Sequence, residues 1–299
     1  VKNQRRSGNW SLYFVYKGLR KMKSTGSIVL PKQPFFVLAT HQYYKVLVMK
    51  YGISHFYSFE VEPGTETTAV AIPDGCVDIL FCCDADQPYA NICGTVLHPH
   101  KVFHKACHYF GVRFMPGVIP KICDTTMPEL LEREVPLQEV LLEPEIYTRI
   151  VSTTNFEEQQ NIFMALYLKY YLAQEEYGAK DTLNRYLLEE ITRTAGSVTV
   201  AELAEQTGYS ERYVNKVFKE SFGVVPKLYC KLMRFQYLLD CLDPHGDVED
   251  FAVLSLDTGF YDQSHMIKNF KDYTYITPRK YVSMMQKEKF NNRLIIMEA

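Results

Sequence analysis

The chain has 299 residues, 47% of them hydrophobic and 23% charged, with a formal net charge of −2. That length suggests two domains, each able to bury a core, and plentiful aromatics with little net charge exclude a chain that is mainly disordered. No apolar run reaches the ~18 residues of a membrane span, and a weak net charge means that nucleic-acid binding has to be argued from local patterning.

Lys2, Arg5, Arg6, Lys17, Arg20, Lys21 and Lys23 crowd the first stretch, while no acidic residue precedes Glu60. Basic, acid-poor beginnings occur in transit peptides. We read residues 1–42 instead as a poorly ordered leader or a start placed too far upstream, with Met22 and Met49 as alternative starts. The eight cysteines are Cys76, Cys82, Cys83, Cys93, Cys107, Cys123, Cys230 and Cys241. With no secretory segment and no Cys-x-x-Cys pair, they are expected as free thiols in a reducing cytosol.

Residues 43–150 read as β-rich. Tyr57-Ser58-Phe59-Glu60-Val61-Glu62 alternates as a half-buried strand does, and Pro63-Gly64 follows as a turn. Val77 to Phe81 is a short buried strand, and Tyr109 to Phe114 is another, closed by Met115-Pro116-Gly117. Short strands at close spacing point to a small sandwich or barrel. After residue 120 the pattern turns helical. Phe156 to Ala173 carries an apolar stripe wide enough to pack on a core or on a second copy of itself, and residues 174–178 read as a linker.

The last hundred residues contain a repeat. Val200 to Tyr209 pairs with Phe251 to Phe260 at an offset of 51, whereas Lys216, Phe218, Lys219, Pro226 and Tyr229 pair with Lys268, Phe270, Lys271, Pro278 and Tyr281 at 52. One residue is therefore inserted in the second turn. In the first unit Thr199 and Glu202 form a capping box, Gly208 makes the turn, and Ser210 caps the next helix. That helix buries Val214, Val217, Phe218 and Phe222, Gly223 ends it, and Pro226 opens another. In the second unit Asp247 and Asp262 are the expected caps. Tyr275 stands where the first unit has Gly223, so that corner is expected to differ in geometry.

Charge placement separates a plain helical core from a DNA reader. From Arg212 to Arg234 the chain carries Arg212, Lys216, Lys219, Lys227, Lys231 and Arg234 against Glu220 alone. From Lys268 to Lys289 it carries Lys268, Lys271, Arg279, Lys280, Lys287 and Lys289 against Asp272 and Glu288. Asp240 to Asp262 holds seven acids and no Lys or Arg. The basic blocks coincide with the second helix of each unit, which in a helix-turn-helix lies in the major groove. Arg212, Asn215 and Lys216 on the first helix, and Gln263, His265, Ile267 and Lys268 on the second, are the expected base contacts. Ser210, Lys219, Lys227, Lys271, Arg279 and Lys280 are the expected phosphate contacts.

The double unit resembles the AraC/XylS family of bacterial transcription regulators. Leu203-Ala204-Glu205-Gln206-Thr207-Gly208-Tyr209-Ser210, Phe218, Gly223 and Pro226 carry the resemblance in the first unit. Gly259-Phe260, Asp262-Gln263-Ser264-His265, Phe270 and Thr277-Pro278-Arg279-Lys280-Tyr281 carry it in the second. It implies a seven-helix domain over residues 180–285 with two reading helices in successive major grooves, joined by a helix from about Lys227 to Leu242. Ser255, where Ala is usual, and Tyr275, where Gly is usual, are departures. Upstream, Ile72 to Phe81 and Gly111 to Gly117 are similar to a cupin-like sensory domain, which implies a β-barrel for effector binding or dimerisation.

An enzyme is the first rival. His98, His100, His104 and His108 occupy even positions of a short segment, and on one strand they would face one side and could hold Zn or Fe(II). Pro99 interrupts the set and no carboxylate lies nearby, so we read a polar barrel face or loop and expect no metal, cofactor or catalytic residue. A non-DNA interaction module is the second rival, and it does not explain two basic reading helices in register. The expected protein is α+β with two domains: a leader at 1–42, a cupin-like β-rich sensor at 43–150, helix and linker at 151–179, an all-α double helix-turn-helix domain at 180–285, and a tail at 286–299. It is expected to be a cytoplasmic, sequence-specific DNA-binding transcription regulator. Double-stranded DNA is the main partner, and RNA polymerase, a small-molecule effector and a second copy of the chain are admitted beside it, with no membrane.

Overall fold

Tyr43 to Lys50 (β1) and Ile53 to Glu60 (β2) make an antiparallel hairpin, turned by Tyr51 and Gly52, both in the left-handed region. The computed structural model describes residues 29–64, 68–173, 179–242 and 251–297. Thr68–Ala71 (β3), Asp78–Cys82 (β4), Tyr89–Cys93 (β5), His100–Phe103 (β6), His108–Phe114 (β7) and Glu134–Pro136 (β8) follow, and Leu294–Met297 (β9) lies near the C-terminus. They form a seven-stranded sheet of order β8-β5-β4-β7-β2-β1-β9 and a two-stranded ribbon, β3-β6. Pairing is antiparallel except between β1 and β9.

β2 is buried from Ile53 to Phe59, not half-buried as its alternation suggests. It lies mid-sheet between β1 and β7, and both faces are covered. On one face Phe56 stacks on Phe110 at 5.8 Å and meets Phe163 edge-on at 5.9 Å. On the other, Tyr57 and Phe59 stack on Tyr43 at 5.4 and 5.8 Å. Phe163 belongs to the helix Phe156–Leu172, whose inner residues Ile162, Phe163, Leu166 and Tyr167 cover the sheet. The stripe that sequence periodicity left open to a second copy is thus used inside the chain.

Two further expectations change, and the fold places the four histidines of the rival metal reading. Cys82 and Cys107 are joined as a disulfide rather than free, because antiparallel β4 and β7 set Cys82 opposite Tyr109 and bring the preceding Cys107 alongside. The four histidines do not gather. His98 is exposed and bonded to Glu132 at 2.8 Å, a carboxylate that lies near only in the fold; His100 is exposed on β6, His104 is buried, and His108 meets Gln159 at 3.2 Å. Among the described residues no group of three His, Cys, Asp or Glu side chains could hold a metal ion. Finally, part of the expected tail is structured, since β9 extends the sheet beside β1 and Arg293 donates to the carbonyls of Leu38 and Thr40 at 2.8 and 2.9 Å. The stretch ahead of β1 also contains a short helix, Pro34–Leu38, with Pro34 and Val37 buried. Residues 1–28, with Met22, the linker at 174–178 and the proposed cap Asp247 lie outside the described residues. Among the described residues no helix is long and apolar enough to cross a membrane.

Candidate nucleic-acid interface

From Ala179 to Lys287 the described chain forms seven helices. Numbered from the first helix of the chain, α1 is Pro34–Leu38, α2 Met127–Leu130, α3 Pro144–Val151, α4 Phe156–Leu172 and α5 Ala179–Arg193. The first repeat unit holds α6 (Val200–Thr207) and α7 (Glu211–Phe222), and the joining helix α8 is Pro226–Cys241. The second unit holds α9 (Phe251–Asp257), α10 (Gln263–Thr274) and α11 (Pro278–Lys287).

Local chemistry fixes each start and stop. The Thr199 backbone N–H donates to the Glu202 carboxylate at 2.7 Å, and Thr199 Oγ1 accepts from the Glu202 N–H at 3.2 Å, closing the capping box that starts α6. Gly208 ends it at φ +72°, with open space where a Cβ would stand, so backbone conformation alone requires glycine there. Ser210 caps α7 by accepting from the Tyr213 N–H, and Asp262 caps α10 by accepting from the His265 N–H at 2.7 Å. The duplication persists in the packing. Phe218 meets Tyr229 at 5.6 Å and 72°, and their repeat partners Phe270 and Tyr281 meet at 5.5 Å and 67°.

Tyr275 does not alter its corner. It takes φ +63°, ψ 0°, the same left-handed cap that Gly223 supplies in the first unit, and its N–H donates to the Lys271 carbonyl. Its hydroxyl donates to the carbonyl of Pro99 in the β-rich half, an external contact that helps to hold the disfavoured conformation.

Most of the candidate contacts face solvent. Arg212 and Lys216 on α7, with Gln263, His265 and Lys268 on α10, are exposed, as are Ser210, Lys219, Lys227, Lys271, Arg279 and Lys280. Two candidates differ. Asn215 is half-buried and its amide donates to the Glu211 carbonyl at 2.8 Å, turned back on its own helix. Ile267 is half-buried and packs against the core. Arg234, counted in the first basic block, is also committed elsewhere. It donates to the Gly196 carbonyl at 2.7 Å and its guanidinium lies over the Phe260 ring. Sequence reasoning passed over three exposed tyrosines on or beside α7 and α10: Tyr209, Tyr213 and Tyr261. Tyr213 falls outside the buried positions of α7, and Tyr261 lies in the second turn, where the offset grows from 51 to 52.

The β-rich half holds a partly open cavity of about 120 Å³ between the large sheet and the β3-β6 ribbon. Tyr43, Tyr57, Asp74, Asp78, His104 and Arg113 are among its lining residues. Arg113 reaches Asp74 at 2.9 Å and forks onto both oxygens of Asp78 at 3.0 and 2.8 Å. Burial opposes its charge, but the carboxylates of Asp78 and Asp74 outweigh burial and hold the guanidinium protonated. Burial raises the Asp74 carboxyl above its ordinary value and pushes His104 down to about 4.

Comparison with known proteins now bears on this geometry. Residues 203–284 match the family model described as a helix-turn-helix domain. Residues 49–136 match a second model, a domain of unknown function (DUF6597). Uncharacterized HTH-type transcriptional regulators of Staphylococcus aureus strains MSSA476 and N315 are each 25% identical over 149 residues, covering 46% of this chain and 20% of theirs. The chain thus spans about a fifth of the length of the curated relatives it matches. Among solved structures, ToxT from Vibrio cholerae is similar at 13% identity and a TM-score of 0.40, over 77% of this chain and 97% of that one. Unsaturated fatty acid bound wild-type ToxT is similar at 14% and 0.37, over 77% and 94%.

Proposed function

We propose that this protein is a sequence-specific DNA-binding transcription regulator of the AraC type, acting in the cytoplasm. The observation that carries this reading is the pair of capped, glycine-turned helix units, each presenting an exposed cationic helix: Arg212 and Lys216 on α7, Lys268 on α10. Gln263 and His265 join them as base contacts. The outlying cations Lys219, Lys227, Lys271, Arg279 and Lys280, with the Ser210 hydroxyl, take phosphates. Asn215 and Ile267 contribute less, because their side chains are engaged with their own domain. In this reading the β-rich half is the sensor, its cavity receives a small-molecule effector, and RNA polymerase is the downstream partner. A second copy of the chain would bring a second pair of reading helices to the DNA.

Selection of duplexes from a random pool tests this directly. The full chain should enrich one sequence, and its affinity should fall linearly in log–log form with salt. Arg212→Ala and Lys268→Ala should each cost about 1–3 kcal/mol on the selected duplex and less on bulk DNA. Equal losses on both would make these side chains phosphate contacts, and no enrichment at all would end the regulator reading.

A further inference from the structure

We infer that Tyr213, braced by Tyr209, reads a thymine through its 5-methyl group at the first DNA half-site, in the place that the sequence pattern gave to Asn215. The inference rests on the DNA-binding reading and names part of its specificity.

Tyr213 is the third residue of α7, in the first turn, and N-terminal residues of a reading helix are the ones that meet base edges. Its backbone N–H is held by the Ser210 cap, so the position of the side chain's root is fixed. The Tyr213 and Tyr209 rings lie 4.9 Å apart, 41% and 48% exposed. Two adjoining aromatic rings left in water on a charged helix start are apolar surface that the fold itself does not use. Tyr213 shares the outer side of α7 with Lys216, one turn further on. The hydrogen-bonding amide that would read adenine is the half-buried Asn215 donor already given to Glu211. What remains at the start of α7 is a cation, Arg212, beside an apolar ring. In the major groove a guanidinium suits guanine acceptors, and an apolar surface suits the thymine methyl. The second unit is built differently at this point. Phe260, the repeat partner of Tyr209, is buried against His265 and Arg234, so an exposed ring pair of this kind is a property of the first unit.

The experiment uses the full chain and a duplex that it has selected from a random-sequence pool. Each thymine is replaced in turn by deoxyuridine, which removes one methyl group. At one position under the first unit, wild type should lose about fourfold in affinity, the worth of one buried methyl. Tyr213→Phe keeps the ring and should show the same loss. Tyr213→Ala should bind the thymine and uracil duplexes equally, with the melting temperature of the wild type. Discrimination that survives in Tyr213→Ala overturns the inference, and so does discrimination that vanishes in Tyr213→Phe, which would make the hydroxyl the contact. Failure to select any sequence would remove the DNA-binding reading and this assignment with it.

Discussion

His104 shows what one side chain costs and gives. Its ring lies within 5.0 to 5.4 Å of the Phe36, Phe59 and Tyr109 rings, and its Nε2 has no hydrogen-bond partner among the described residues. Burial pushes its pKa from 6.5 down to about 4. The unfolded chain therefore takes up a proton near pH 6.5 that the folded chain refuses until about pH 4. Between those values the unfolded state binds more protons, so the contribution to stability falls as pH falls. The full difference is roughly 3 kcal/mol, of which about 2 is lost by pH 5. His104→Phe keeps the ring and removes the proton site. Urea unfolding at pH 7 and pH 5 should show wild type losing stability relative to the variant. Parallel losses would mean that the folded protein accommodates imidazolium. Asp74, whose carboxyl is raised, works in the opposite direction, but it is common to both proteins and cancels. Sequence marked His104 only as one of four histidines at even spacing. The rings that set its chemistry come from residues 36, 59 and 109, and only the folded chain brings them together.

Elements in the C-terminal third were the most legible part, because their signals are local. A capping box spans four residues, and a left-handed turn is most often marked by one glycine. The same turns show that glycines of equal φ differ in consequence. Gly208, at φ +72°, has nothing within 4 Å of a Cβ, whereas at Gly196, at φ +74°, a Cβ would stand 2.0 Å from the Cys230 carbonyl oxygen. Gly208→Ala should cost about 1 kcal/mol from backbone strain alone. Gly196→Ala adds a clash with the backbone of α8 and should cost several times more, on the order of 3 kcal/mol or above. Thermal melts of the two variants check this, and equal shifts would show that α8 gives way freely. Tyr275 marks where element-level reading stops. Residue type argued for a different corner, yet the left-handed cap is kept, and the hydroxyl contact that helps hold it reaches Pro99, far away in sequence.

At the scale of the whole molecule the joining helix belongs to both halves. Gln236 on α8 is fully buried. Its side-chain Oε1 accepts from the Lys32 backbone N–H at 2.7 Å, and its Nε2 donates to the Pro73 carbonyl at 2.7 Å. Tyr229, one side of the Phe218 pair in the first unit, donates its hydroxyl to the Gly75 carbonyl at 3.3 Å, and Lys32 pairs with Asp240. Between Pro73 and Gly75 stands Asp74, the carboxylate that Arg113 and Gln33 hold at the cavity wall. A loop of three residues thus faces the cavity with its side chain and the helical domain with its backbone carbonyls. None of this was legible in sequence, because Gln236 sits among apolar residues of a helix whose partners lie some 160 and 200 positions away. The buried cluster that contains Ile79 and Val112 runs without a break to Phe270 and Met285, so the halves should unfold together. Gln236→Leu keeps the volume but removes both hydrogen bonds, and the buried Pro73 carbonyl losing its Gln236 donor should alone cost about 1–3 kcal/mol. The wild type should show one calorimetric transition, with calorimetric and van't Hoff enthalpies equal, and Gln236→Leu should lower it and broaden or split it. Two transitions already present in wild type would mean that the halves are independent. The loop could not then carry a change at the cavity to α8, the helix that joins the two repeat units.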